Sequence, residues 1–208
     1  GAASVLMPFG GKYQLTPAVA MAAKPPVQGH TDTATVSAYG CSPWLMSGSP
    51  FVGAVYSILT SISKLVACGV PHETIRLSLQ EFFCRLGDDP VRWGQPLSAL
   101  LGALTAQLGL QAGAIGGKDS MSGSFEQIDV PPTLISFAMG VCKASGIVSN
   151  VFGERMGAKD VYHIAIDRDE YGMPDFARVL QLYEAMHKAI AGGGVKACNV
   201  VEEGGVVA

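Results

Sequence analysis

Charge is scarce in this chain of 208 residues. Asp, Glu, Lys and Arg together make up 15% of it, against the roughly one quarter usual in globular domains. Lys and Arg number 14 and Asp and Glu 17, a net charge of −3, so the basic footprint that nucleic acid demands is missing. Disorder is excluded as well, because 49% of the residues are hydrophobic and disordered chains need low hydrophobicity with high charge. The mean hydropathy is +0.32, yet no run of 18 uncharged apolar residues reads as a membrane span. The five cysteines, Cys41, Cys68, Cys84, Cys142 and Cys198, contain no CxxC pair, which removes zinc and thioredoxin-like readings. Their odd number, with no recognisable signal sequence, leads us to expect reduced thiols and a cytoplasmic protein. Each thiol then reads as a small buried apolar residue. GxSxG is absent too, and no cysteine stands in a recognisable nucleophile context.

Glycine, by contrast, is plentiful at 26 residues. Periodicity places the elements between the glycines. His30–Tyr39 alternates and predicts a strand, and 40–50 reads as a loop. Val52, Val55, Tyr56, Leu59, Ile62 and Val66 share one side of a predicted helix over 51–68, which Gly69 closes. Thr74–Leu79 alternates as a short strand, Gln95–Leu108 reads as an apolar helix, and Thr133–Val141 as a buried strand after Pro131 and Pro132. Val161–Ile166 is another expected strand. Asp175–Ile190 is amphipathic, with Phe176, Val179, Leu180, Tyr183, Met186 and Ile190 on one face. Without a regular βαβ rhythm, the pattern predicts an α+β fold, a mixed sheet with packed helices, and a change of domain near residue 155. The apolar run ending at Ala208 reads as a cut rather than a finish.

Gly116–Ser120, GGKDS, is the most distinctive motif. It fails as a Walker A loop, since Ala112 stands where the first glycine belongs and Asp119 follows the lysine. The chemistry survives the failed motif. Glycines let backbone amides approach an anion, Lys118 adds positive charge, and Ser120 and Ser122 add hydroxyls. The plain alternative is a glycine-rich turn between a helix and a strand. Asp32, in HTDT, could ligate magnesium. With His30 on the same strand face, it reads more simply as an Asp–His pair on a solvated surface. His72, His163 and His187 lack metal-ligand spacing. Ser78 and Gln80 share a strand face, as any i, i+2 pair does, and Glu202 and Glu203 stand either near a ligand or in a solvated turn.

The segment AIGGKDSMSGSFEQIDVPPTLISFA resembles the second half of the synthetase part of phosphoribosylformylglycinamidine synthase, a purine-biosynthesis family in the aminoimidazole ribonucleotide synthetase superfamily. LTPAVAMAAKPPVQGHTDTATVSAYG, SPFVGAVYSILTSISKLVACG and LSLQEFF agree with it in order, so the likeness covers nearly the whole chain. The variant with HTDT and SPF resembles the long single-chain form of some anaerobic bacteria. The resemblance implies an N-type domain over 1–155, whose sheet pairs with that of the other half to close a barrel. Over 156–208 it implies the beginning of a C-type α/β domain, truncated. It further implies an ATP- and Mg2+-dependent amidotransferase, in which ATP activates the amide oxygen of formylglycinamide ribonucleotide and ammonia displaces the phosphate.

On that resemblance the GGKDS loop contributes to a composite site. Gly117 meets the nucleotide, Lys118 replaces a magnesium-binding asparagine and can contact phosphate instead, Ser120 meets the substrate, and Ser78 takes the place of a nucleotide-binding aspartate. Thr31 and Asp32 match the nucleotide and metal positions of an auxiliary site. Its other ligands are replaced by Thr60, Lys64 and Val200, so magnesium there is expected to be weak or absent, with Lys64 supplying positive charge. The implied partners are the other half of the synthetase and a glutaminase domain of the same full-length chain, or a second copy in a homodimer; no nucleic acid and no membrane. Alone, the fragment is expected to be inactive. The competing reading is a degenerate nucleotide-binding or structural duplicate without chemistry of its own. A selenophosphate or thiamine phosphate enzyme of the same superfamily would need nucleotide-loop motifs that are not seen.

Overall fold

The structure is a computed structural model, and it describes all residues except 1–2, 11, 153–159, 203 and 208. Four short strands open the chain: β1 (Ser4–Leu6), β2 (Phe9–Gly10), β3 (Thr16–Pro17) and β4 (Met21–Ala23). The long strand β5 (Thr33–Gly40) alternates, burying Ala34, Val36 and Ala38 and turning Thr33, Thr35 and Tyr39 outward. Helices α1 (Pro43–Gly48) and α2 (Pro50–Ala67) follow, then strand β6 (Arg76–Phe82), helix α3 (Pro90–Gly109) and strand β7 (Ala114–Lys118). The strands β8 (Ser124–Phe125) and β9 (Ile128–Asp129) form a minimal hairpin before β10 (Thr133–Lys143), helix α4 (Phe176–Ala191) follows, and a single 3-10 turn (Gly205–Val207) comes last.

The main sheet has six strands in the order β1-β4-β5-β10-β6-β7. Every pairing is antiparallel except β6 with β7, which run parallel across the α3 crossover. Helix α2 lies on one face. Ser49 caps its start, its Oγ accepting from the Val52 N–H at 3.3 Å, and Gly69, at φ +95°, turns the chain after it. Val55, Ile58, Ile62 and Leu65 are fully buried against Val36, Leu77, Leu134 and Ala138 of the strands. Ser61 and Ser136, both buried, share a hydrogen bond of 2.8 Å between helix and sheet. By length and composition α2 could cross a membrane, but two-thirds of it is buried, and its apolar character is that of a core helix.

The α+β architecture with a mixed sheet agrees with the sequence, and four local readings are corrected. Residues 43–48 form α1 rather than loop; Pro43 stands in its first turn and Met46 is its buried contact. Helix α3 begins at Pro90, where the Asp89 carboxylate accepts from the Val91 N–H at 2.9 Å, and Pro96 sits inside it. The AIGGK segment is a strand at the sheet edge. Val161–Ile166 has no ladder partner among the described residues and forms no strand; an alternating pattern needs a neighbouring strand before it becomes one.

The expected domain change near residue 155 lies outside the described residues. Beyond it, α4 packs onto the same core as α2. Val179 and Tyr183 belong to that core, the Tyr183 hydroxyl hydrogen-bonds Ser63 Oγ at 2.8 Å, and the Tyr56 hydroxyl donates to the Gly172 carbonyl at 2.6 Å. The other face of the sheet carries no helix among the described residues. Met21, Tyr39, Phe137, Met139 and Val141 stand exposed on it, the pattern of a sheet with one face uncovered.

Candidate functional site

The parallel pair β6–β7 builds the edge of that open face. Ser78 is in register with Gly116, Leu79 with Gly117 and Gln80 with Lys118. Residues in register point to the same side of a sheet, so Ser78, Gln80 and Lys118 share the open face. The Lys118 ammonium lies 5.5 Å from the centroid of the Phe82 ring, within cation–π range. Gly117 points to the other side, where a Cβ would come within 2.5 Å of the Leu79 carbonyl oxygen. The close approach that requires glycine is therefore strand against strand.

The chain leaves β7 through Asp119 and is drawn back along β6. The Ser120 N–H donates to the Glu81 carbonyl at 3.0 Å, the Phe83 N–H to the Ser120 carbonyl at 2.8 Å, and the Gly123 N–H to the Phe83 carbonyl at 2.9 Å. Ser120 and Ser122 hydroxyls meet at 3.1 Å. Ser78, Gly117, Lys118 and Ser120 are thus brought into one region, a cation and two hydroxyls on a short tethered loop beside an apolar sheet face. Such a set can hold an anionic, partly aromatic ligand, with Lys118 as a point charge on phosphate.

Sequence reading missed Glu81. It is 4% exposed, and its Oε1 has no hydrogen-bond partner among the described residues. Burial, with the negative charge of Asp119 adding to it, pushes its carboxyl up to about 7. Extending the alternation of TIRLSL by two residues places Glu81 on the buried side with Leu77 and Leu79; that was the available signal.

Thr31 and Asp32 lie elsewhere. They precede β5, which starts beside Lys143, about 25 Å from the Lys118 level at 3.3 Å per residue. Asp32 is not on a strand with His30. Its carboxylate accepts from Ser145 Oγ at 2.6 Å and from the Ser145 N–H at 3.0 Å, which hold it below the usual carboxylate range. Thr31 Oγ1 accepts from the Thr33 N–H at 3.1 Å. Thr60 and Lys64 lie on α2 near the opposite end of β5. There the buried Lys64 ammonium donates to the Tyr39 carbonyl at 3.0 Å, pairs with Glu202 at 2.8 Å and lies 4.6 Å from the Tyr39 ring centroid.

These residues do not fit a magnesium ion. Magnesium requires several oxygen ligands around one point, whereas the Asp32 oxygens are engaged by Ser145, and Thr60, Lys64 and Val200 bring no carboxylate. Among the described residues no group of three or more His, Cys, Asp or Glu side chains could hold a metal. The thiols are equally quiet: burial raises Cys41, Cys68, Cys142 and Cys198, Cys68 to about 12, and all five cysteines are free.

No family model and no curated protein matches the sequence. Solved structures do match its fold. The PurLQS structure from Thermotoga maritima superposes with a TM-score of 0.63 at 17% identity, over 92% of this chain and 28% of that one. PurL from the same organism complexed with AMPPCP gives 0.65 at 16% identity, over 93% and 29%. The chain has the PurL fold. Phosphoribosylformylglycinamidine synthase II of Thermotoga maritima gives 0.61 at 17% identity, over 84% of this chain and 26% of that one. The chain therefore spans a little over a quarter of the length of these PurL structures. Thermotoga maritima PurL has also been solved with ATP and with FGAR.

Proposed function

We propose that the chain is part of an ATP-dependent amidotransferase of the phosphoribosylformylglycinamidine synthase kind, and that it contributes the Lys118–Ser122 loop to a composite nucleotide and substrate site. The observation that carries this reading is the placing of Lys118, Ser78 and Ser120 together at the edge of an open sheet face, in a chain with the fold of a protein solved with ATP and with FGAR. In this reading the open face pairs with the sheet of the other half of the synthetase, and the two halves enclose the ligand. Lys118 holds phosphate, while Ser78 and Ser120 bond nucleotide and substrate. ATP activates the amide oxygen, and ammonia from a glutaminase displaces the phosphate. Magnesium accompanies ATP, its ligands supplied by the other half.

The chain on its own is then inactive, and the reaction belongs to the cytoplasm. The test is steady-state turnover of the complete synthetase carrying Lys118→Ala or Ser120→Ala. A fall by orders of magnitude, against unchanged melting, is expected; activity within severalfold of the parent overturns the reading. Two observations favour a second reading for the auxiliary positions. Lys64 is paired with Glu202 at one end of β5 and Asp32 is bound by Ser145 at the other, which suits a structural duplicate that has no metal and no chemistry at its auxiliary site.

A further inference from the structure

Helix α3 has its small residues inside and its large ones outside. Toward the core it presents Ala99, Gly102, Ala103 and Ala106, all buried. Gly102 admits no side chain, because a Cβ would lie 2.1 Å from the Phe51 carbonyl oxygen. Toward solvent it presents Trp93, Leu97, Leu100, Leu101, Leu104 and Leu108, each between 49% and 71% exposed. A solvated helix face carries charge, as α4 does with Arg178, Glu184 and Lys188. In α3 the only charged residue is Arg92, and it is tied to Asp129 at 2.7 Å.

We propose that this face is the contact between two copies of the chain, with α3 packed antiparallel on its twofold mate. Three observations select a second copy. Leu97, Leu101, Leu104 and Leu108 are spaced four, three and four apart, the narrow seam that one helix offers another. The seam is uncharged, so it matches a surface as uncharged as itself, and an isologous twofold contact joins the same patch from both partners. The six side chains expose about 600 Å² per copy, so pairing removes about 1,200 Å² in all, the lower edge of specific stable interfaces. A membrane surface fits less well, since interfacial helices are rich in Lys and Arg on their polar side. The proposal rests on α3 alone and goes beyond the functional reading, because the open sheet face lies across the molecule on the other side of the sheet.

Sedimentation velocity of the 208-residue chain across a concentration series tests it, with Leu101→Glu/Leu104→Glu as the variant and Phe137→Glu on the open sheet face as the control. The parent and Phe137→Glu are expected at about twice the 21.6 kDa chain mass. The α3 variant is expected at the chain mass, with its dimer constant weakened about 100-fold and its circular dichroism and melting retained. Leu97→Glu serves the same purpose if the double variant does not fold. A monomeric parent, or a dimer that Phe137→Glu dissociates and the α3 variants leave intact, overturns the proposal. So does capture of liposomes by the parent as a monomer, because the occupant would then be lipid.

Discussion

Replacing Glu81 by glutamine should make the protein more stable above neutral pH and leave it nearly unchanged in mild acid. In the unfolded chain this carboxyl titrates near its ordinary value of 4.5; in the folded chain burial and Asp119 raise it to about 7. Below pH 4.5 both states hold the proton and the site carries no penalty. Between the two values the folded state binds more protons than the unfolded state, so stability falls as pH rises. Above pH 7 both states are ionised, and the folded state bears the whole difference, about 3 kcal/mol at 1.36 kcal/mol per pH unit. Glutamine is neutral throughout and has nearly the same shape, and Oε1 has no partner to lose. The gap between Glu81→Gln and the parent should therefore open from near zero at pH 4.5 to about 3 kcal/mol at pH 8, or roughly 6–12 °C in melting temperature for a chain of this size. Urea denaturation at half-unit pH steps reads it directly, since the titrating groups that do not interact with Glu81 cancel in the difference. Asp119→Asn should shrink the gap. Parallel profiles for parent and variant from pH 4.5 to 8 would refute the reasoning.

Two further outcomes follow from the packing. Gly117→Ala should loosen β7 from β6, because its Cβ would meet the Leu79 carbonyl; overpacking of that sort costs about 1–3 kcal/mol, read by urea denaturation and by faster amide exchange at 114–118. Tyr183→Phe should cost about 1 kcal/mol for the lost hydroxyl bond to Ser63, and equilibrium denaturation followed by circular dichroism should show α4 and the sheet still melting together.

Helix α2, strand β10 and helix α4 were legible in the sequence, because each buries one side against a continuous core and so writes its period into the residues. What was illegible depended on partners far along the chain. AIGGK has no strand signature of its own and becomes β7 only because β6 lies ready beside it. Val161–Ile166 has the signature and finds no neighbouring strand among the described residues. Alternation identified the open face no better, since Phe137 and Met139 on that face are as apolar as the buried Leu134 and Ala138. Of the candidate site, GGKDS drew attention by composition and did fall beside Ser78, whereas Thr31 and Asp32, assigned by resemblance to a separate auxiliary site with Thr60 and Lys64, lie at the other end of β5 from those two. Glu81 escaped because the alternation of TIRLSL was ended at Leu79, two residues short of it.

Strand β10 is the last strand of the main sheet to be synthesised, yet it occupies the middle, paired over most of its length with β5 on one side and β6 on the other. Until residue 143 has been made, both neighbours present unpaired edges, and such edges invite pairing with other chains. Pairing between strands about one hundred residues apart in sequence is also slow to form. Nascent chains that stop short of β10 should therefore be the aggregating species during translation, and a chaperone that shields strand edges should act on this protein before its centre is in place rather than after.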